Sequence, residues 1–221
     1  GLQLAIHAIG DGAIELNVNL LNELNEKYEP QILDDLKAKV NINMSQEKNL
    51  LRHGIVHAQF TNQELLNRMK KGDLLAYIQP VFIDSDMKIA ESRVGKDRLK
   101  KAYAWKSMLD MGIKAPGSSD APVESFDIME NIYFAVTRKD RNGVPAEGWL
   151  SEEKLSVEEA VRLFTTEAAY ASFEEDIKGS LKEGKLADMV VLDRNIFEIE
   201  KDEIKDTEVI YTIIDGEIVY N

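Results

Sequence analysis

The chain has 221 residues, 44% of them apolar, a net charge of −13 and no cysteine. That length gives one large or two small domains with a real core. The charge argues against a nucleic-acid or anionic-membrane surface, which needs clustered Lys and Arg, and the missing thiols exclude a disulfide framework and thiolate chemistry.

No apolar run approaches the roughly 20 residues of a membrane span, and the lack of cysteine suits a reducing, cytoplasmic setting. The chain opens directly on a strand-like run, G-L-Q-L-A-I-H, so further sequence is expected upstream of Gly1. Leu2 to Ile6 reads as a strand that His7 ends. Gly10 and Gly12 punctuate the turn, and Asp11 can cap a helix that begins near Ala13 and carries Ile14, Val18, Leu21 and Leu24 at helical spacing. Residues 27–49 are polar and mixed, and they read as a helical excursion on the surface.

Leu50 to Phe60, L-L-R-H-G-I-V-H-A-Q-F, reads as a second strand. Thr61 and Glu64 have the spacing of a capping box for the next helix. Leu74 to Gln79 reads as a third strand, stopped by Pro80. A long helix is expected from about Gly95 to Met111, with Leu99, Tyr103, Met108 and Leu109 on its apolar side and Gly112 as its stop. A fourth strand-like run, Ile113 to Ala115, meets P-G-S-S-D-A-P and presents Asp120 just beyond its end. Asp127 to Thr137 is expected to be helical, and a helix opened by the Ser156–Glu159 capping box to run to about Tyr170. Strand and helix thus alternate four times, the pattern of a parallel β/α array. Beyond Asp176 the composition shifts. Residues 179–193 read as two short strands around a Gly turn. Residues 212–220 read as a hairpin with Asp215-Gly216 at its tip.

The three histidines, His7, His53 and His57, all lie in or beside strand-like runs. His53 and His57 are four apart. On a helix they would share a face, but the zincin signature needs Glu directly after the first His, and Gly54 stands there. Gly54-Ile55-Val56 favours a strand, on which four residues span roughly 13 Å and the two rings cannot share an ion. His53 therefore reads as structural. His57, His7 and Asp120 fall at C-terminal strand ends, the edge where parallel α/β folds place their chemistry. Imidazoles and a carboxylate suit a divalent transition metal. Asp120 or Ser119 could instead cap the following helix, and each histidine could be an ordinary hydrogen-bonded core residue. Arg93, Arg98 and Arg138 read as surface residues rather than an anion clamp, and Tyr103 and Trp105 as packing residues.

The segments H-A-I-G-D-G-A, R-H-G-I-V-H-A-Q, G-S-S-D-A-P-V-E and E-G-K-L-A-D-M-V-V-L-D with T-I-I-D-G-E-I-V-Y resemble, in order and from end to end, the amidohydrolase superfamily. The nearest branch holds N-substituted formamide deformylases and uncharacterised metal-dependent hydrolases, some labelled exoenzyme regulatory proteins. The resemblance implies an α/β fold: the second half, strands five to eight, of a distorted (β/α)8 barrel over residues 1–175. Residues 176–221 would add strands to a small β-sandwich. It matches His7, His57 and Asp120 to the residues ending strands five, six and eight. It gives all three as metal ligands, with Asp120 passing a proton from water to the leaving amine and His57 steadying the oxyanion. The implied cofactor is a divalent metal, zinc foremost, one or two ions in the full-length protein and none necessarily in this chain alone.

Two departures stand out. The H-x-H of strand one and the strand-four ligand have no counterpart, and Val56 precedes His57 where relatives carry Glu. The expected function is therefore that of a C-terminal part of a hydrolase acting on a small-molecule amide or other C–N bond. The part itself is expected to be inactive and prone to self-association. The alternatives are a regulatory or scaffold protein on the same fold, and a deaminase of the superfamily.

Overall fold

The computed structural model describes residues 2–39 and 49–221; part of the surface excursion expected over 27–49 lies outside these residues. Strand β1 is Ala5–Ala8, helix α1 Asp11–Lys39, β2 Gly54–His57, α2 Gln63–Lys71 and β3 Leu75–Tyr77. Helices α3 (Ala90–Leu99), α4 (Trp105–Asp110), α5 (Ile128–Thr137), α6 (Val157–Leu163) and α7 (Thr166–Ala171) follow, then strands β4 (Met189–Leu192), β5 (Val209–Ile214) and β6 (Glu217–Tyr220). The chain divides into two compact units. One is Gly1–Ile78 with Lys96–Ala115, the other Gln79–Gly95 with Pro116–Asn221.

In the first unit β1, β2 and β3 form a parallel sheet in sequential order. The run Ile113–Ala115 extends alongside, with the Ala76 N–H donating to the Lys114 carbonyl at 2.9 Å. Sequential parallel order is what right-handed β/α crossovers produce when each strand is added on the same side. Helix α1 packs on β1 and β2 and buries Ile14, Val18 and Leu21 completely, their i, i+4, i+7 spacing forming the apolar stripe. Fully burying each such side chain contributes about 1.5–3 kcal/mol. Leu65, Leu66 and Met69 of α2 and Trp105 and Met108 of α4 complete this core.

Several local expectations change here. Asn62, not Thr61, caps α2, its Oδ1 accepting from the Leu65 N–H at 2.9 Å. The Thr61 hydroxyl is used elsewhere, donating to the Lys101 carbonyl at 2.6 Å. The long helix over 95–111 is instead two helices. Gly95 leaves helical geometry at φ 76°, ψ 161°, and Tyr103 takes φ 51° before α4 begins. Tyr103 and Trp105 are core residues, each 1% exposed.

In the second unit α5 is capped by Asp127, whose Oδ1 accepts from Met129 and Glu130. The expected capping box holds α6, Ser156 and Glu159 bonding reciprocally. The helix thought to run to Tyr170 is interrupted between α6 and α7. Strands β4, β5 and β6 form an antiparallel sheet. Asp215 (φ 50°) and Gly216 (φ 82°) turn the β5–β6 hairpin, the positive-φ pair that a two-residue hairpin loop needs. Only one strand, β4, forms within 179–193.

Candidate functional site

His7 and His57 meet. Their ring centroids are 4.5 Å apart with the planes at 80°. The pleat alone would not bring this about. The register pairs His7 with Val56 and Ala8 with His57, and cross-strand partners share a face while neighbours alternate. Regular strands would therefore put the two imidazoles on opposite faces. His57 instead takes φ 73° and Ala58 φ 47°, left-handed values that L-residues rarely adopt. The strand breaks its alternation at its last residue, and the His57 ring swings to His7. Two consecutive residues in this region cost on the order of 1–3 kcal/mol each and persist only where the surroundings over-determine them.

Those surroundings are visible. The Ala58 N–H donates to the Ala8 carbonyl at 3.2 Å and the Phe60 N–H to the Ile9 carbonyl at 3.0 Å. Across from this loop, Phe60 bridges Ala102 in antiparallel fashion, and the Tyr103 N–H donates to the Gln59 carbonyl at 2.6 Å. Thr61 adds its hydroxyl bond to Lys101. His7 is exposed and His57 is 5% exposed.

His53, at the other end of the same segment, is tied into the surrounding structure through its ring and its backbone. Its Nδ1 accepts from the Leu4 N–H at 2.9 Å, which fixes a neutral ring protonated on Nε2. Its backbone N–H and carbonyl both bond to the Asn49 side chain, at 2.7 and 2.8 Å. Burial lowers its pKa below the ordinary 6.5.

Asp120 lies in the second unit, half-buried, at φ 60°. It opens a turn in which the Val123 N–H donates to its carbonyl at 2.8 Å. Ahead of it, a Cβ on Gly117 would lie 2.8 Å from Cε1 of Phe164 and 3.0 Å from Cβ of Leu163, so only glycine lets the chain pass there. Gln79, 4% exposed, donates from Nε2 to the Ser118 hydroxyl at 2.9 Å. The next helix is capped by Asp127, which leaves Asp120 free of that role.

Two imidazoles from adjacent strand ends would supply two of the three protein ligands that catalytic sites give a divalent metal. Among the described residues no group of three or more His, Asp or Glu side chains is placed to hold an ion. Arg138 is not a surface residue. It is fully buried, its Nε donating to the Trp149 carbonyl at 2.7 Å; a lone Arg ending an apolar helix gives no hint of this in sequence. Arg98 pairs with Asp11 at 3.6 Å. No helix among the described residues is long and apolar enough to cross a membrane.

Known proteins share this arrangement of elements. The chain is 34% identical over 220 residues to YtcJ of Bacillus subtilis (strain 168), covering all of this chain and 38% of that protein. It is 32% identical over 120 residues to the N-substituted formamide deformylase of Arthrobacter pascens, 54% of this chain and 22% of that one. An uncharacterized metal-dependent hydrolase from Pyrococcus horikoshii superposes with a TM-score of 0.72 at 25% identity, over 91% of this chain and 36% of that one. The chain thus spans 38% or less of the length of each of these proteins. The Amidohydrolase family profile matches residues 1–220, and the chain belongs to the amidohydrolase family.

Proposed function

We propose that this chain is the C-terminal part of a metal-dependent hydrolase that cleaves an amide or another non-peptide C–N bond with water. The observation that carries the reading is the meeting of His7 and His57 at the C-terminal ends of parallel strands, achieved through left-handed backbone at His57. Strain of this kind clusters at functional sites. In this reading β1, β2, β3 and the Ile113–Ala115 run are strands five to eight of a (β/α)8 barrel of which residues 1–175 supply only the second half. Residues 176–221 supply β4–β6 to a small sandwich.

His7, His57 and Asp120 would hold a divalent ion, zinc being the first choice for imidazole and carboxylate donors. When bound, such an ion supplies Lewis acidity and a water that is acidic near neutral pH. Asp120 takes a proton from the attacking water and returns it to the amide nitrogen as the C–N bond breaks, leaving a carboxylic acid and an amine. His57 steadies the negative charge that develops on the carbonyl oxygen. The name of the Arthrobacter relative favours an N-substituted amide as substrate class.

The test is metal per chain, by elemental analysis, on the full-length protein and on these 221 residues side by side. Metal and amide hydrolysis in the full-length protein, with neither in this chain alone, is the expected result. Metal-dependent hydrolysis by the chain alone would refute its inactivity. Metal in neither, with zinc or manganese supplied, would hand the fold to the scaffold reading. We also expect the isolated chain to self-associate, because β1 ends the described parallel sheet and Val190, Ile214, Ile218 and Val219 are each more than half exposed. A strictly monomeric mass in dilute solution would count against this.

A further inference from the structure

Arg141 gathers carboxylates from three separate segments. Its main-chain N–H donates to Asp84 Oδ1 at 2.9 Å and its Nη1 to Asp84 Oδ2 at 2.8 Å. Its Nε and Nη2 form a fork on Glu130, at 2.5 and 3.0 Å. The same Nη2 faces Glu124 Oε2 at 3.6 Å. Its carbonyl accepts from Lys205 Nζ at 2.6 Å, and the guanidinium lies over the Phe134 ring, 5.6 Å from its centroid. One cation shared by three carboxylates is held firmly in its charged form, the Glu130 fork being the largest cause.

This arrangement bears on Asp120. Ala121, Pro122 and Val123 are exposed, and Phe126 is 82% exposed, so core packing does not fix the turn that carries the carboxylate. Polar anchors must do so. On the entry side these are Gly117 under Phe164 and the Gln79–Ser118 bond. On the exit side they are Asp127, capping α5, and Glu124 on Arg141. Without the guanidinium, Glu124 would face Asp84 and Glu130 across an uncompensated gap, and like charges would drive the loop outward.

We propose that Arg141 is a positioning residue for Asp120, fixing the far side of its turn by holding Glu124 against α5. The inference rests on the role given above to Asp120, and it is tested on the full-length protein with two readouts, amide hydrogen exchange and the dissociation constant for zinc. Arg141→Gln is expected to speed exchange at residues 119–126 by about tenfold or more and to weaken zinc binding by about tenfold. Arg141→Lys, which keeps the charge among the carboxylates but loses the fork on Glu130, should give an effect on both readouts between those of the wild type and Arg141→Gln. Glu124→Gln removes only the loop's own ion pair and serves if Arg141→Gln fails to fold. It should speed exchange at 119–126 and leave α5 protected. Unchanged exchange at 119–126 in the folded variants would overturn the proposal. So would a uniform acceleration through α5 and the β4–β6 sheet, which would make Arg141 a general structural residue. Absence of zinc binding in the wild-type protein would sink the hydrolase reading, while the exchange data would still decide whether Arg141 holds the loop.

Discussion

His53 and His57 bracket one four-residue strand, and the chain treats them in opposite ways. At His53 the ring Nδ1 accepts from the Leu4 N–H, and the backbone N–H and carbonyl bond to Asn49. At His57 the backbone leaves the strand conformation and aims the ring at another imidazole. The same side chain is thus a structural acceptor at one end of β2 and part of a candidate donor set at the other. What separates them is the sheet edge. The C-terminal edge of a parallel sheet is where loops are free to build sites, whereas conservation of structure at the N-terminal edge serves stability.

The sharpest way to break this contrast is to remove each ring in turn from the full-length protein. His57→Ala should reduce bound metal to a small fraction of wild type and lower any amide hydrolysis by at least about a hundredfold, and because the ring is 5% exposed it should also lose some stability. His57→Gly sharpens the point. It removes the same ring but also relieves the left-handed backbone, so it should be as inactive as His57→Ala and more stable than it by about 1 kcal/mol. A glycine variant less stable than the alanine one would mean that φ 73° at position 57 is not a source of strain.

His53→Ala should show a different signature. It leaves the Leu4 N–H without its acceptor and opens a gap at a 5%-exposed site, a loss of about 1–3 kcal/mol. The Asn49 bonds go to the His53 backbone and survive. Metal content per folded chain should stay at the wild-type level. A fall in metal content equal to that of His57→Ala would overturn the division of roles.

Much of this contrast could be read from sequence, and its cause could not. Period-two and period-3.6 patterns, with Gly and Pro punctuation, located β1, β2, β3, the start of α1, α5 and the β5–β6 hairpin, because local chemistry decides those elements. The Ser156–Glu159 box was legible for the same reason. The argument that sets His53 apart from His57, a separation of roughly 13 Å, needed only the rise of a strand, which β2 (Gly54–His57) supplies. Sequence did not reveal that register pairs Ala8, not His7, with His57, nor that two left-handed residues compensate for the offset. Those depend on tertiary hydrogen bonds from Ala8, Ile9 and the 101–103 segment. Thr61 yielding the cap to Asn62 and Arg138 ending buried are likewise decided by distant partners. Asp120 could be named from the sequence as a candidate. The Arg141–Glu124 contact beside it could not, since nothing local ties positions so far apart.

The smallest expected effect concerns pH. His53 has its pKa lowered by burial below 6.5, so the folded chain binds a proton there less readily than the unfolded chain. Stability therefore rises with pH where the unfolded state holds more protons. The contribution of His53 is fully present above about 6.5 and is lost progressively as pH falls from there toward the folded value. The hydrogen bond gives the reason in atoms: an imidazolium carries protons on both nitrogens, and Nδ1 can then no longer accept from Leu4. Denaturant unfolding of the full-length protein at several pH values between 5 and 7.5 should show this loss in the wild type. His53→Gln, which cannot titrate, should be flatter over the same interval even if less stable throughout. Identical slopes for the two proteins would mean that the Leu4 bond does not hold the neutral ring in solution, and His53 would lose its claim to be the structural member of the pair.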